Sequence, residues 1–146
     1  MGAKDYNEKG SGTNILCLTL TPQFDDYVPL AFSHIVGAKY RTKGQYYYYT
    51  VYCAVCRASQ STTIMVPGAF TCPSGWTPQY SGHLAADYFN LTATEYVCLE
   101  EPTEASNDDI FSSHTNFLFV VIYRCGRLPC PPYRQGKAVT CVVCSK

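Results

Sequence analysis

The sequence predicts an all-β, disulfide-rich fold made of two tandem homologous small units, and three observations lead there. Its apolar runs are short, rich in Val, Ile, Thr, Tyr and Phe, and cut by Gly and Pro, as strands bounded by turns read. Nine cysteines are spread along a chain with thirteen tyrosines, a distribution that suits disulfides better than a metal cluster or a single reactive thiol. Landmarks around those cysteines recur in the same order in the two halves of the chain, as a duplication requires.

The elements follow in chain order. Residues 1–13 lack the apolar core of a signal peptide and read as a flexible leading segment, the start of a processed or expressed piece. Strands are expected at 14–20, 34–40, 46–55, 62–66, 95–99, 116–123 and 137–143, each a short apolar or β-branched run. Pro67-Gly68, Pro73-Ser74-Gly75 and Cys130-Pro131-Pro132 mark turns between them. Residues 82–89, Gly-His-Leu-Ala-Ala-Asp-Tyr-Phe, are the one stretch where one or two helical turns are an alternative. In Gln45-Tyr46-Tyr47-Tyr48-Tyr49-Thr50-Val51-Tyr52, consecutive tyrosines on a strand alternate faces, so one face is expected to be core and the other an interface or ligand wall.

The repeat assigns the units. Leu16-Cys17-Leu18, Pro22 and Asp25-Asp26 are echoed by Val97-Cys98-Leu99, Pro102 and Asp108-Asp109. Tyr40-Arg41 is matched by Tyr123-Arg124, and Cys53-Ala54-Val55-Cys56 by Cys141-Val142-Val143-Cys144. Residues 14–60 are then a first unit without its amino-terminal half, and 61–146 a complete second unit, the two packed as one domain. The second unit holds Cys72, Cys98, Cys125, Cys130, Cys141 and Cys144, an even set, whereas the first holds Cys17, Cys53 and Cys56. The unpaired thiol is therefore expected in the first unit, with its partner on a missing amino-terminal segment or on another chain. Pairing within each set is left open by the sequence.

At Thr71-Cys72-Pro73-Ser74-Gly75-Trp76, followed by Tyr80-Ser81-Gly82, and at Arg124-Cys125-Gly126-Arg127-Leu128-Pro129-Cys130-Pro131-Pro132-Tyr133, the chain resembles a known family. These motifs are similar to the non-collagenous domain of spongin-type short-chain collagens and related invertebrate secreted, short-chain collagen-like proteins. The resemblance covers about residues 14–146, including Leu16-Cys17-Leu18, Cys53-Ala54-Val55-Cys56-Arg57 and the closing Cys141-Val142-Val143-Cys144-Ser145-Lys146. The family's opening Gly-Ala-x-Tyr-x-x-Trp-Gly-Arg-x-x-Cys-Pro stretch is absent. No Gly-X-Y repeat is present either, so no part of this chain forms a collagen triple helix. The resemblance implies an extracellular, disulfide-bonded, duplicated module that assembles with copies of itself, with some relatives lectin-like or adhesive, and it implies no catalytic residues.

Charge and chemistry narrow the function. Eleven basic against eleven acidic residues leave no long-range field to attract nucleic acid or an anionic bilayer, and neither nucleic-acid binding nor membrane insertion is expected. The cysteines place the protein outside the cell, and Asn90-Leu91-Thr92 is a glycosylation sequon. The two Cys-x-x-Cys pairs lie too far apart for a zinc knuckle and on strands rather than at a helix start, so each cysteine is expected to bond a separate neighbour and tie a strand to the core. Asp25, Asp26, Asp108 and Asp109 recur in loops and are candidate ligands for calcium, against the plainer reading of turn-forming acids; Glu100, Glu101 and Glu104 could add to them. Trp76, Tyr80, His83 and Asp87 could set an aromatic face and polar groups around a sugar, against the plainer reading of Trp76 as core. His34, His83 and His114 show no link to an activated serine, so no enzyme is expected. Two functions stand: a secreted glycan-binding, lectin-like module, or a matrix module that self-assembles through tyrosine-rich faces and an interchain disulfide.

Overall fold

The structure, a computed structural model, describes residues 1–27, 29–41, 48–100 and 114–146. Among these residues it contains β-strands and no helix: β1 (Gly2–Ala3), β2 (Val36–Arg41), β3 (Tyr48–Thr50), β4 (Thr63–Pro67), β5 (Thr77–Ala86), β6 (Val97–Leu99), β7 (Asn116–Val120) and β8 (Thr140–Ser145). They form one sheet in the order β1-β2-β7-β5-β8-β4, with β3 added to β2 and β6 to β5. β1 and β3 pair with successive halves of one edge of β2, while β7 lies parallel to β2 in the register Ala38↔Asn116 to Arg41↔Phe119. Parallel neighbours cannot be joined by a tight turn, so this contact between the two halves of the sequence depends on the long chain between them.

β5 is the strand from which the sheet forks. Its first part pairs with β8 from Thr77↔Ser145 to His83↔Thr140, its end pairs with β7 at Ala85↔Val120 and Ala86↔Phe119, and β6 lies along its other edge. At the fork three backbone bonds close a ring: Leu84 N–H donates to Val139 O (2.9 Å), Val139 N–H to Val121 O (2.9 Å), and Val121 N–H to Leu84 O (2.8 Å). Each residue spends its donor on one neighbour and its acceptor on the other, so β7 can leave β5 without orphaning buried amides, and the sheet curls. The curl continues through the Ile122–Ala138 bridge and the bond from Tyr123 N–H to Lys137 O (2.9 Å).

Two apolar clusters lie on this sheet. Ala38, Tyr40 and Val51 of the first half pack with Ala85, Leu99 and Leu118 of the second, and Ala3 joins them; the second cluster comprises Leu84, Cys98, Val139 and Cys141. The first cluster therefore belongs to both halves. Gly82 is required by close approach, because a Cβ there would overlap the backbone of Leu99 on β6. Gly75, at φ 81°, occupies the left-handed position of the turn closed by Trp76 N–H to Pro73 O (3.1 Å).

All nine cysteines lie among the described residues, and eight are paired: Cys17 with Cys53, Cys72 with Cys144, Cys98 with Cys141, and Cys125 with Cys130. Cys141 and Cys144 are three apart on β8 and so face opposite sides, which sends them to different partners. Cys56 is unpaired and exposed, so of the nine cysteines expected to bond it is the one without a disulfide in this chain.

Several expected elements differ. Residues 14–20 form no strand beyond the single bridge Gly2↔Leu16, since no other neighbour offers a continuous ladder to them. The expected strand 46–55 is Tyr48–Thr50 alone among the described residues; Tyr46 and Tyr47 lie outside them. Residues 82–89 take no helical turn: up to Ala86 they are the second half of β5, because β6, β7 and β8 all supply partners there. Residues 1–13 are not uniformly free of the body, since β1 pairs with β2 and Ala3, Lys4 and Asp5 are buried.

Candidate functional site

The four residues grouped as a sugar site are strung along β5 and its ends. Trp76 lies just before the strand, partly buried, and Tyr80 donates its hydroxyl to Cys98 O (3.3 Å). Burial and then the negative Glu100 raise the Tyr80 pKa above 10.0. His83 pairs with Leu99 on one side and Thr140 on the other. The regular register from Tyr80 to His83 puts their side chains on opposite faces, and at about 3.3 Å per residue the strand that separates Trp76 from Asp87 spans roughly 30 Å, so the four do not converge.

Asp87 belongs to a different group. Its Oδ1 accepts from Tyr88 N–H (2.8 Å), its own N–H donates to Thr94 Oγ1 (3.0 Å), and its Oδ2 receives Asn116 Nδ2 at 3.4 Å. Desolvation pushes its pKa above the ordinary 3.8, against the Tyr88 amide, the Lys4 charge and the Asn116 amide, which pull it down. Asn116 is fully buried, and its Oδ1 meets no donor among the described residues. Lys4, also buried, donates to Glu8 O (3.2 Å) and to Thr92 Oγ1, while Asp5 holds His114 Nδ1 at 3.0 Å. The amino-terminal residues thus supply charge to this cluster, a contribution that no local motif announces.

Next to it, a hollow of about 280 Å³ is lined by Arg41, Tyr88, Phe119, Val120, Ile122, Gly136 and Ala138. Tyr88 lies tilted on Phe119 with ring centroids 5.0 Å apart, so the wall is aromatic. The repeat landmark Tyr40-Arg41 was the available sequence signal for one lining residue; the others come from β7, from Tyr88 and Ile122 just beyond β5 and β7, and from the 136–138 segment, and meet only in the fold.

The acidic candidates are divided. Asp25 and Asp26 lie in an exposed loop, where Asp25 Oδ1 accepts Tyr27 N–H (3.1 Å) as a turn-forming acid does. Asp108 and Asp109, with Glu101 and Glu104, lie outside the described residues. No group of three or more His, Cys, Asp or Glu converges as a metal site among the described residues. Asn90 stands in an exposed turn beside Leu91, whose N–H donates to Tyr88 O (2.9 Å).

Exposed apolar side chains are concentrated elsewhere among the described residues. Between residues 16 and 35 the chain exposes large apolar side chains, including Leu18, Leu20 (98% exposed), Phe24 (90%), Leu30 and Phe32. Tyr52 and Val55 extend this exposure to the free Cys56. By contrast Tyr48 and Tyr49 of the run are used internally: Tyr49 is buried opposite Tyr40, and Tyr48 packs on Phe117 with centroids 5.0 Å apart.

No helix among the described residues is long and apolar enough to cross a membrane. Comparison with protein-family models, with curated proteins and with solved structures finds no match to this chain.

Proposed function

We propose that this chain is a secreted, non-enzymatic structural module of the extracellular matrix, whose cross-linked β body presents the 16–35 segment for association with further copies. The observation that carries this reading is the exposure of Leu18, Leu20, Phe24, Leu30 and Phe32 in that segment, large apolar side chains of the kind that mark protein interaction sites when they gather. Four disulfides support an oxidising compartment, and they let the body stay rigid while an apolar segment remains presented. The tyrosine-rich faces expected to drive assembly contribute less, since Tyr48 and Tyr49 pack inside the fold. Light scattering across a concentration series tests the reading: the mass is expected to rise with concentration and to stop rising in a Leu20→Ser, Phe24→Ser double variant. A wild-type chain that stays monomeric at every concentration overturns it.

One observation favours a second reading, glycan recognition. The hollow beside Asp87 combines the Tyr88 and Phe119 rings with the Arg41 guanidinium, an aromatic wall and a polar group of the sort that holds a sugar. A glycan array with and without chelator tests both the binding and any role for calcium. Loss of signal in Tyr88→Ala supports the hollow, and an array without a single bound glycan sinks this reading.

A further inference from the structure

The charge of this chain is divided along its length. Residues 1–109 hold all eleven Asp and Glu and six of the eleven Lys and Arg, whereas residues 110–146 hold five Lys and Arg and no acid. Four of those five, Arg124, Arg127, Arg134 and Lys137, stand within fifteen residues, and the fold gathers them on one hairpin. Its base is closed by the Ile122–Ala138 bridge and by bonds from Tyr123 N–H to Lys137 O (2.9 Å) and from Gly136 N–H to Tyr123 O (2.9 Å). Lys137 is thereby set across from Tyr123 and Arg124, and its own N–H donates to Arg134 O (3.2 Å), which holds Arg134 in the same turn. Arg127 lies in the small ring that the Cys125–Cys130 disulfide closes, and the bond from Cys125 N–H to Gln135 Oε1 (2.7 Å) ties that ring to the other arm. Tyr123 and Tyr133 pack between the arms with ring centroids 5.1 Å apart. All four cations are exposed, and their side chains meet no carboxylate among the described residues.

We propose that the 123–137 hairpin is a docking surface for a sulfated polysaccharide, whose sulfate groups meet the four cations and whose sugar rings lie against the half-exposed Tyr133. Four like charges held close together repel one another, and a polymer of regularly spaced anions laid along them relieves that repulsion. The disulfide and the cross-arm bonds fix the loop beforehand, so little backbone freedom is lost on docking. The zero net charge governs only distances beyond a Debye length, about 10 Å at 0.1 M salt; a polyanion in contact meets the hairpin's own charge. A sulfated sugar is favoured over a nucleic acid because the four disulfides suit an oxidising compartment, where the long polyanions are those of the matrix. That choice of partner rests on the extracellular reading, whereas the surface itself does not. Its four cations belong neither to the 16–35 segment nor to the lining of the hollow beside Asp87.

The test measures binding of the full, oxidised chain to immobilised heparin, with desulfated heparin, a duplex DNA fragment and vesicles of phosphatidylcholine and phosphatidylserine in equal parts as comparators. Heparin binding is expected to weaken on the order of fifty-fold between about 50 and about 200 mM salt, as counterion release at four contacts requires. Arg127→Gln with Arg134→Gln is expected to lower the affinity about tenfold at about 0.1 M salt. Lys9→Gln with Arg57→Gln removes the same charge from exposed positions elsewhere and is expected to change it less than about twofold. Thermal midpoints and a non-reducing disulfide map matching the wild type's show that both variants are folded. No binding at the lower salt, an equal loss in the two double variants, or desulfated heparin bound as tightly as heparin each overturn the proposal. DNA or vesicles bound as tightly as heparin also overturn it, and a loss of that binding in the Arg127, Arg134 variant then traces the failure to the extracellular reading rather than to the surface. Binding that survives in the Arg127, Arg134 variant but falls in Tyr88→Ala places the sugar in the hollow and overturns it too. Light scattering without polyanion tests the assembly reading separately.

Discussion

Cys53-Ala54-Val55-Cys56 and Cys141-Val142-Val143-Cys144 have nearly the same composition, yet one is coil with an exposed thiol and the other is a central strand. Propensity does not separate them. What separates them is supply: β8 has β4 and β5 to bond its backbone on both sides, while 53–56 has neither. A β-branched run becomes a strand when neighbours satisfy its amides and cover its faces, so strand formation here is a property of partners more than of the segment. The same contrast governs the cysteines. β8 is cross-linked on both of its faces, and residues 53–56 only once.

Removing the disulfide of the β4–β5 hairpin should bring β8 closest to the state of residues 53–56. Cys72→Ser opens a cross-link between residues 72 apart in sequence and is expected to cost about 4 kcal/mol in the chain-entropy account, read as a fall of roughly 10 °C in thermal midpoint under oxidising conditions. An unchanged midpoint would mean that β4 and β5 hold β8 without it. Next in size is Leu118→Ala, which cuts the fully buried residue that packs both halves together; a loss of about 3 kcal/mol in denaturant unfolding is expected, with one transition retained. Two separated transitions would show that the halves hold themselves independently. Gly82→Ala, which drives a methyl group into the Leu99 backbone, is expected to cost about 2 kcal/mol and to loosen β6 amides in hydrogen exchange.

Smaller effects follow from charge. Burial raises the Asp87 pKa, so the folded state binds this proton more tightly than the unfolded chain. The contribution of Asp87 to stability therefore improves as pH falls from neutral toward the ordinary carboxylate value of 3.8, and worsens as pH rises. Asp87→Asn is expected to flatten that dependence, and melting curves in which wild type loses stability relative to the variant on acidification would contradict the sign. Least of all, Cys56→Ser should shift stability by no more than about 0.5 kcal/mol, because the side chain is exposed and unpaired. A large loss would show that Cys56 is already engaged inside the chain.

Parts of this organisation are legible along the chain. Short β-branched runs led to β2, β4, β6, β7 and β8 within a few residues, because there the local pattern and the available partners agree. β5 was not expected as a strand: Pro78 and Gly82 interrupt its pattern, and a bulge near Pro78 and the close approach of β6 accommodate them. β1 was hidden because Gly2–Ala3 carries no strand signal and exists only as a partner of β2. The sugar group failed to assemble for a simple reason: nearness in sequence becomes distance on an extended strand. The hollow was invisible for the converse reason, since Arg41 and Phe119 meet only through the parallel β2–β7 pairing.

By itself the sequence determined that the chain is built of strands and that its cysteines divide into an even set of six and an odd set of three. The tertiary structure decided which cysteines meet, that Cys56 is the one left over, and where the sheet forks. The division has a physical cause. Periodicity and turn chemistry act over a few residues and are written in order along the chain, whereas disulfides, ladders and pockets require closing loops of tens of residues, and which loops close is settled by all the partners at once.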